Sequence, residues 1–246
     1  MLIVGNWKAY VESEKAAKAL LASAKKLTGL GHDIVLAPSA PYIGMLAVGN
    51  KSKVAYSAQD ISDSTGGAHT GETTGAMLAG LGVTYAILGH SERRASGETD
   101  AVVSSKATHA LAHGLIPIIC IGEKERDADA QYLGFLRGQI STIFTPLSQK
   151  ERMSVVLAYE PIWAIGKTAD EAITPADLNE MILYIRKVLA EYLPGRTPEK
   201  VKILYGGSVE AGNAKTLADG TGIDGFLIGH ASVDTKAFAG IVKAVS

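Results

Sequence analysis

The amino-acid sequence predicts an α/β protein, a single (β/α)8 barrel over residues 1–246. Three observations point there. Short apolar or β-branched runs recur eight times along the chain, and segments with helical spacing lie between several of them. The strand–helix unit repeats roughly every 30 residues, so the units fill the chain without a linker or low-complexity stretch. A barrel of this kind needs about 250 residues, and the chain has 246.

The strand candidates are Leu2 to Gly5, Ile34 to Ala37, Val54 to Ala58, Tyr85 to Leu88, Ile116 to Ile121, Val155 to Tyr159, Val201 to Tyr205, and Phe226 to Ile228. Most are apolar on consecutive residues, as in strands buried on both faces of a parallel sheet. After the first strand, Ala17, Leu20, Leu21 and Ala24 make one helical stripe, with Ser13 placed to cap it. The clearest stripe is Leu178, Met181, Ile182, Ile185, Val188 and Leu189. Thr174 stands as its N-cap, Pro175 in the first turn and Asp177 at the positive helix end. A doubly wound open sheet is the competing architecture. Gly5-Asn6-Trp7-Lys8 stands where that fold would carry a Gly-x-Gly-x-x-Gly turn after the first strand.

Composition narrows the function classes. With 24 basic and 25 acidic residues and a net charge of -1, no run of one sign invites nucleic acid or an anionic membrane. The one cysteine, Cys120, lies in the apolar run from Leu115 to Ile121 and reads as a packed thiol of a reducing compartment. The N-terminus carries no basic-then-apolar leader, and no apolar run approaches the roughly 18 residues of a membrane span. A soluble, cytoplasmic protein is expected. His32, His69, His109 and His113 show no metal-ligand spacing, so no metal is assigned.

Chemistry in such a barrel collects at the carboxyl ends of the strands. The first strand ends in Asn6-Trp7-Lys8, the fourth in Gly89-His90-Ser91-Glu92-Arg93-Arg94, and the sixth in Glu160-Pro161. The last two end in Gly206-Gly207-Ser208 and Gly229-His230-Ala231-Ser232. A carboxylate, an imidazole and an ammonium at one mouth suit proton movement beside a carbonyl, with the lysine stabilising charge on oxygen. Glycine-rich turns after the last strands are the usual phosphate cradle of barrels. Taken singly, Glu160 reads as a surface carboxylate, His90 as a cap for a short helix, Lys8 as a solvated charge, and Gly206-Gly207 as a turn using positive φ. Their joint placement favours an enzyme acting on a small phosphorylated substrate.

Gly5-Asn6-Trp7-Lys8, Gly89 to Arg94, Ala158 to Lys167 and Tyr205 to Val209 resemble the signature stretches of the triosephosphate isomerase family. Ala58-Gln59-Asp60, Gly67 to Glu72 and Cys120-Ile121-Gly122-Glu123 are also family-like, and all occur in the family's order. The resemblance implies a TIM barrel that interconverts dihydroxyacetone phosphate and D-glyceraldehyde 3-phosphate through an enediolate, in glycolysis and gluconeogenesis, without a cofactor. It implies Glu160 as the base, His90 as the electrophile, Lys8 as the cationic stabiliser, Asn6 as a positioning partner and Glu92 as the carboxylate pairing with the lysine. Glu98 resembles a buried structural acid. Backbone N–H groups of Gly166, Ser208, Gly229 and His230 would hold the phosphate, and Pro161 to Ala169 would close as a lid. Gly67-Ala68-His69-Thr70-Gly71-Glu72 resembles the loop that enters a neighbouring subunit, with Thr70 bracing Asn6 and Lys8, so a homodimer is expected.

The chain also departs from the family pattern. The usual lid reads Ala-Ile-Gly-Thr-Gly-Lys-Thr-Ala, whereas Ala164-Ile165-Gly166 runs directly into Lys167-Thr168-Ala169, two residues shorter. A lid that seals poorly would let the enediolate expel phosphate and leave methylglyoxal. His230 stands where most members have a second glycine. An isomerase of a slightly longer sugar phosphate and a barrel that binds without turnover remain as alternatives.

Overall fold

The computed structural model describes residues 1–166, 173–195 and 197–246. Lys167, Thr168 and Ala169, the closing part of the lid read from the sequence, lie outside the described residues. Each of the apolar runs forms a strand: β1 (Leu2–Asn6), β2 (Asp33–Ala37), β3 (Ala55–Ala58), β4 (Tyr85–Leu88), β5 (Ile116–Ile121), β6 (Val156–Tyr159), β7 (Lys202–Tyr205) and β8 (Gly225–Ile228). They pair in parallel in sequence order, and the ring closes where Leu2 of β1 registers with Gly225 of β8 on one side and with Asp33 of β2 on the other. The closed ring excludes the open sheet.

Strand side chains alternate between two faces, and both faces are buried here. Leu2, Val4, Val35, Ala37, Ile87, Ile118, Cys120, Val156, Ala158, Leu204 and Leu227 pack together in one cluster. Their neighbours in sequence, among them Ile3, Leu36, Leu88, Ile119, Leu157, Ile203 and Phe226, join the larger core with the helices. This is why the runs are apolar without a gap. At the seam, a Cβ on Gly225 would lie 1.8 Å from the Leu2 carbonyl oxygen, so glycine is required where the ring closes.

The helices in chain order are α1 (Glu14–Leu27), α2 (Ala40–Ala47), α3 (Gly75–Gly80), α4 (Ser91–Ala95), α5 (Asp100–Ala112), α6 (Gln131–Phe144), α7 (Gln149–Arg152), α8 (Pro175–Leu189), α9 (Ala214–Ala218) and α10 (Thr235–Ala244). Ser13 caps α1 by accepting from the Ala16 N–H at 3.3 Å, and the stripe it starts is buried from Ala17 to Leu27. Thr174 caps α8 by accepting from the Asp177 N–H at 3.1 Å. All six apolar residues of the α8 stripe are buried. Caps of this kind contribute about 1 kcal/mol each.

Candidate active site

The alternation that fills the barrel also aims its polar ends. Asn6 continues the parity of Leu2 and Val4, and Glu160 that of Val156 and Ala158, so both turn inward at the carboxyl mouth. There a cavity of about 550 Å³ is lined by Asn6, Lys8, His90, Glu92, Glu160, Gly166, Ser208, Gly229 and His230, together with Tyr10, Gly206 and Gly207. Every residue to which the sequence gave a catalytic or phosphate-binding role borders it.

Glu160 is 3% exposed. Its Oε2 accepts from the Ser91 N–H at 3.2 Å, and its Oε1 lies 3.4 Å from His90 Nε2. Two glycines make this possible. A Cβ on Gly122 would lie 1.8 Å from the Glu160 carbonyl oxygen, and one on Gly206 would lie 2.7 Å from Glu160 Cγ. Neither Gly206 nor Gly207 has a positive φ, so the turn reading of these residues is corrected. Gly206 is needed for the space beside the carboxylate. Cys120 packs below: burial pushes its thiol well up, and the adjacent Glu160 carboxylate acts in the same direction.

His90 takes the capping role that the sequence suggested for it and also borders the cavity. It caps α4, its Nδ1 accepting from the Glu92 N–H at 3.2 Å. That bond needs the Nδ1 lone pair, so the hydrogen-bond pattern assigns the ring proton to Nε2, the nitrogen facing Glu160.

Lys8 sits at φ 47, in the left-handed region, where a residue with a side chain costs about 1–3 kcal/mol. Its backbone is held on both sides. The N–H donates to Asn6 Oδ1 at 3.0 Å, and the carbonyl accepts from Ser39 Oγ at 2.8 Å and Gln59 Nε2 at 2.9 Å. Gln59 also donates to the Ala37 carbonyl at 2.9 Å. The ammonium reaches Glu92 Oε1 at 2.6 Å. Partial burial pushes the Glu92 carboxyl up, but the Lys8 hydrogen bond and charge outweigh it and hold it below its ordinary value. Sequence reasoning gave Gln59 and Ser39 no role, although Gln59 directly follows an apolar run, the position that identified the others.

Leaving Glu160, the chain makes a 3-10 turn at Ile162–Ala164 and reaches Gly166 at φ 71. Buried Glu123 anchors this start: its Oε1 accepts from Tyr159 Oη at 2.8 Å and Trp163 Nε1 at 2.9 Å, and its carbonyl accepts from the Ile162 N–H at 2.9 Å. The Arg126 guanidinium lies 5.0 Å over the Trp163 ring and 3.6 Å from Asp177 at the head of α8. On the other flank, Ser208 Oγ donates to the Ala164 carbonyl at 3.1 Å. Arg126 went unnoticed because Trp163 and Asp177 lie on two other segments far along the chain.

Beside the Lys8–Glu92 pair a second cavity of about 390 Å³ opens toward Gln59, Asp60, Glu72, Thr73 and Arg93. Behind it, buried Lys106 bonds Asp60 at 2.8 Å and Glu98 at 2.5 Å, and Arg93 reaches Asp60 at 2.7 Å. Glu98 is thus a buried, ion-paired acid away from the cavity. Among the described residues, no group of three or more His, Cys, Asp or Glu side chains is arranged to hold a metal, and no helix is long and apolar enough to cross a membrane.

Comparison with known proteins agrees with this geometry. The family model for triosephosphate isomerase matches residues 1–245. A triosephosphate isomerase from Herpetosiphon aurantiacus is 42% identical over 250 aligned positions, covering 98% of this chain and 98% of that protein. One from Streptomyces coelicolor is 39% identical, covering 98% and 96%, and one from Moorella thermoacetica 40%, covering 98% and 97%. With its barrel, strand-end residues and full-length matches, the chain belongs to the triosephosphate isomerase family.

Proposed function

We propose that the chain, acting as one domain over residues 1–246, interconverts dihydroxyacetone phosphate and D-glyceraldehyde 3-phosphate. One observation carries this reading: the Glu160 carboxylate and the His90 Nε2–H lie 3.4 Å apart on one cavity wall, beside the Lys8 ammonium. A base and a hydrogen-bond donor this close can act on adjacent atoms of a hydroxycarbonyl.

Glu160 leaves the Ser91 N–H, removes the proton from the carbon next to the carbonyl and returns it to the neighbouring carbon. Neutral His90 donates from Nε2 to the oxygen that gains electron density and passes it that proton, regaining one from the neighbouring hydroxyl as that oxygen becomes the new carbonyl, while Lys8 stabilises the developing charge. Asn6 positions Lys8 through the Lys8 N–H, and Glu92 keeps the ammonium in place. The phosphate is taken by backbone N–H groups of Gly166, Ser208, Gly229 and His230, which border the same cavity. The segment starting at Pro161 excludes water from the enediolate.

A homodimer fits the second cavity. Residues 67–72 of another copy would fill it, bracing Asn6 and Lys8 and covering Glu92, whose side chain is 63% exposed in the single chain. On the strength of the family likeness we assign the reaction to glycolysis and gluconeogenesis, in the cytoplasm.

The test is to incubate the purified protein with glyceraldehyde 3-phosphate and follow dihydroxyacetone phosphate, methylglyoxal and free phosphate in one sample. Fast isomerisation with little methylglyoxal is expected. Methylglyoxal as main product would make this an eliminating enzyme with a leaky lid, and no turnover would overturn the assignment.

A further inference from the structure

The mechanism above uses only the backbone of His230 and nothing of Tyr10, yet the two rings meet on the rim of the large cavity, next to Gly207, Ser208 and Gly229. Their centroids are 5.3 Å apart and their planes cross at 77°, an edge-to-face contact. Tyr10 comes from the loop after β1, where its N–H bonds the Trp7 carbonyl at 3.1 Å, and it is 53% exposed. His230 opens the 3-10 turn His230–Val233 after β8 and is also exposed. That turn is tied down from beneath: the Ser232 N–H bonds the Gly229 carbonyl at 2.9 Å, and Ser232 Oγ donates to the Asn6 carbonyl at 3.1 Å.

An exposed imidazole on a fixed turn, held by a second ring, is restricted in where its nitrogens point. Among the described residues the ring makes no side-chain hydrogen bond, and Asp234 lies near enough for its charge to interact with the imidazole. Asp234 caps α10 by accepting from the N–H groups of Lys236 and Ala237 at 2.7 and 2.8 Å, and Lys8 is paired with Glu92. The imidazole therefore has its N–H available to a ligand on the cavity side of the rim.

We infer that the His230 side chain is a specificity-determining contact: its ring N–H donates to a phosphate-monoester oxygen of the substrate, and Tyr10 holds the ring over the cradle. The inference rests on reading this cavity as a phosphosugar site. It adds a side-chain donor to a cradle otherwise made of backbone, and so favours ligands carrying a dianionic phosphate.

The test compares His230→Leu, which keeps bulk and loses the donor, with His230→Gln, which keeps a donor. Inorganic phosphate binding is titrated calorimetrically, without turnover, and KM and kcat are measured with glyceraldehyde 3-phosphate. Loss of a hydrogen bond to an anion predicts that His230→Leu weakens inorganic phosphate binding roughly five-fold and raises KM in step, with a smaller change in kcat. His230→Gln should stay within about two-fold of the parent on both, since a donor remains. Phosphate binding by His230→Leu equal to the parent, or equal losses in both variants, would overturn the contact. So would a parent that does not bind inorganic phosphate at all. A parent that binds phosphate but does not isomerise would overturn the isomerase reading alone, and the two variants would still decide this one by titration.

Discussion

Glu160 is positioned as much by what its neighbours lack as by what they offer. Gly206 leaves room for the Glu160 side chain, with only 2.7 Å from a hypothetical Cβ to Cγ. Gly206→Ala should displace the carboxylate and lower kcat on the order of 100-fold, because proton transfer tolerates little misplacement. KM should change far less, and steady-state kinetics on the purified variant checks this. The importance of that glycine was only half legible. Its place after an apolar run marked it, but its reason, space beside a side chain from the adjacent strand, depends on the β6–β7 register, which aligns Tyr159 with Tyr205. Asn6, Lys8, His90 and Glu160 were readable because each ends a strand or follows one directly. The support of Lys8 was not, since Ser39 and Gln59 reach its carbonyl from the ends of two other strands.

Among the elements, the loop leaving β6 and the head of α8 are joined through Arg126. It stacks on Trp163 and ion-pairs with Asp177. Arg126→Met keeps the length and loses the charge, so both ends of the intervening segment lose a tether. The expected result is roughly two- to five-fold more methylglyoxal per isomerisation event, from a contact of cation–π strength, read in the same three-product assay. A second tie links the loop after β3 to α4 and α5 through Asp60, Arg93, Glu98 and Lys106. Burial raises the Glu98 carboxyl, but Lys106 and Arg93 outweigh it and leave it below its ordinary 4.5. Its contribution to stability is therefore complete above that value and is lost as pH falls through the folded value. Asp60 has the opposite sign, because burial prevails over its cationic partners and raises it. Glu98→Gln should cost about 1–3 kcal/mol at neutral pH in denaturant unfolding, with the gap to the parent narrowing as pH falls below the ordinary 4.5 and through the lowered folded value. The helices around these ties were legible to different degrees. α8 announced itself by its stripe and cap, whereas α4 is five residues long with no buried member and shows no periodicity to read.

At the scale of the molecule, strand positions were legible because both faces of the sheet are buried, which removes the polar alternation and leaves unbroken apolar runs. Closure was less so, since an open parallel sheet has similar strands and only the missing glycine fingerprint separated the two. The seam supplies a direct test. Gly225→Ala would set a methyl 1.8 Å from the Leu2 carbonyl oxygen, so the ring cannot close unchanged. Overpacking of this kind costs about 3 kcal/mol or more. The variant should be largely insoluble on expression, or its purified fraction should unfold at clearly lower denaturant than the parent.

That seam has a consequence for synthesis. The proposed base is carried by β6, the lysine by β1 and part of the anion cradle by the segment after β8, while β1 reaches β8 only by pairing with it. A chain emerging from the ribosome therefore holds every reactive group for some time without holding an active site. On the proposed mechanism, catalytic competence arrives with the last strand, and an incomplete chain generates no enediolate that it would have no means to protect.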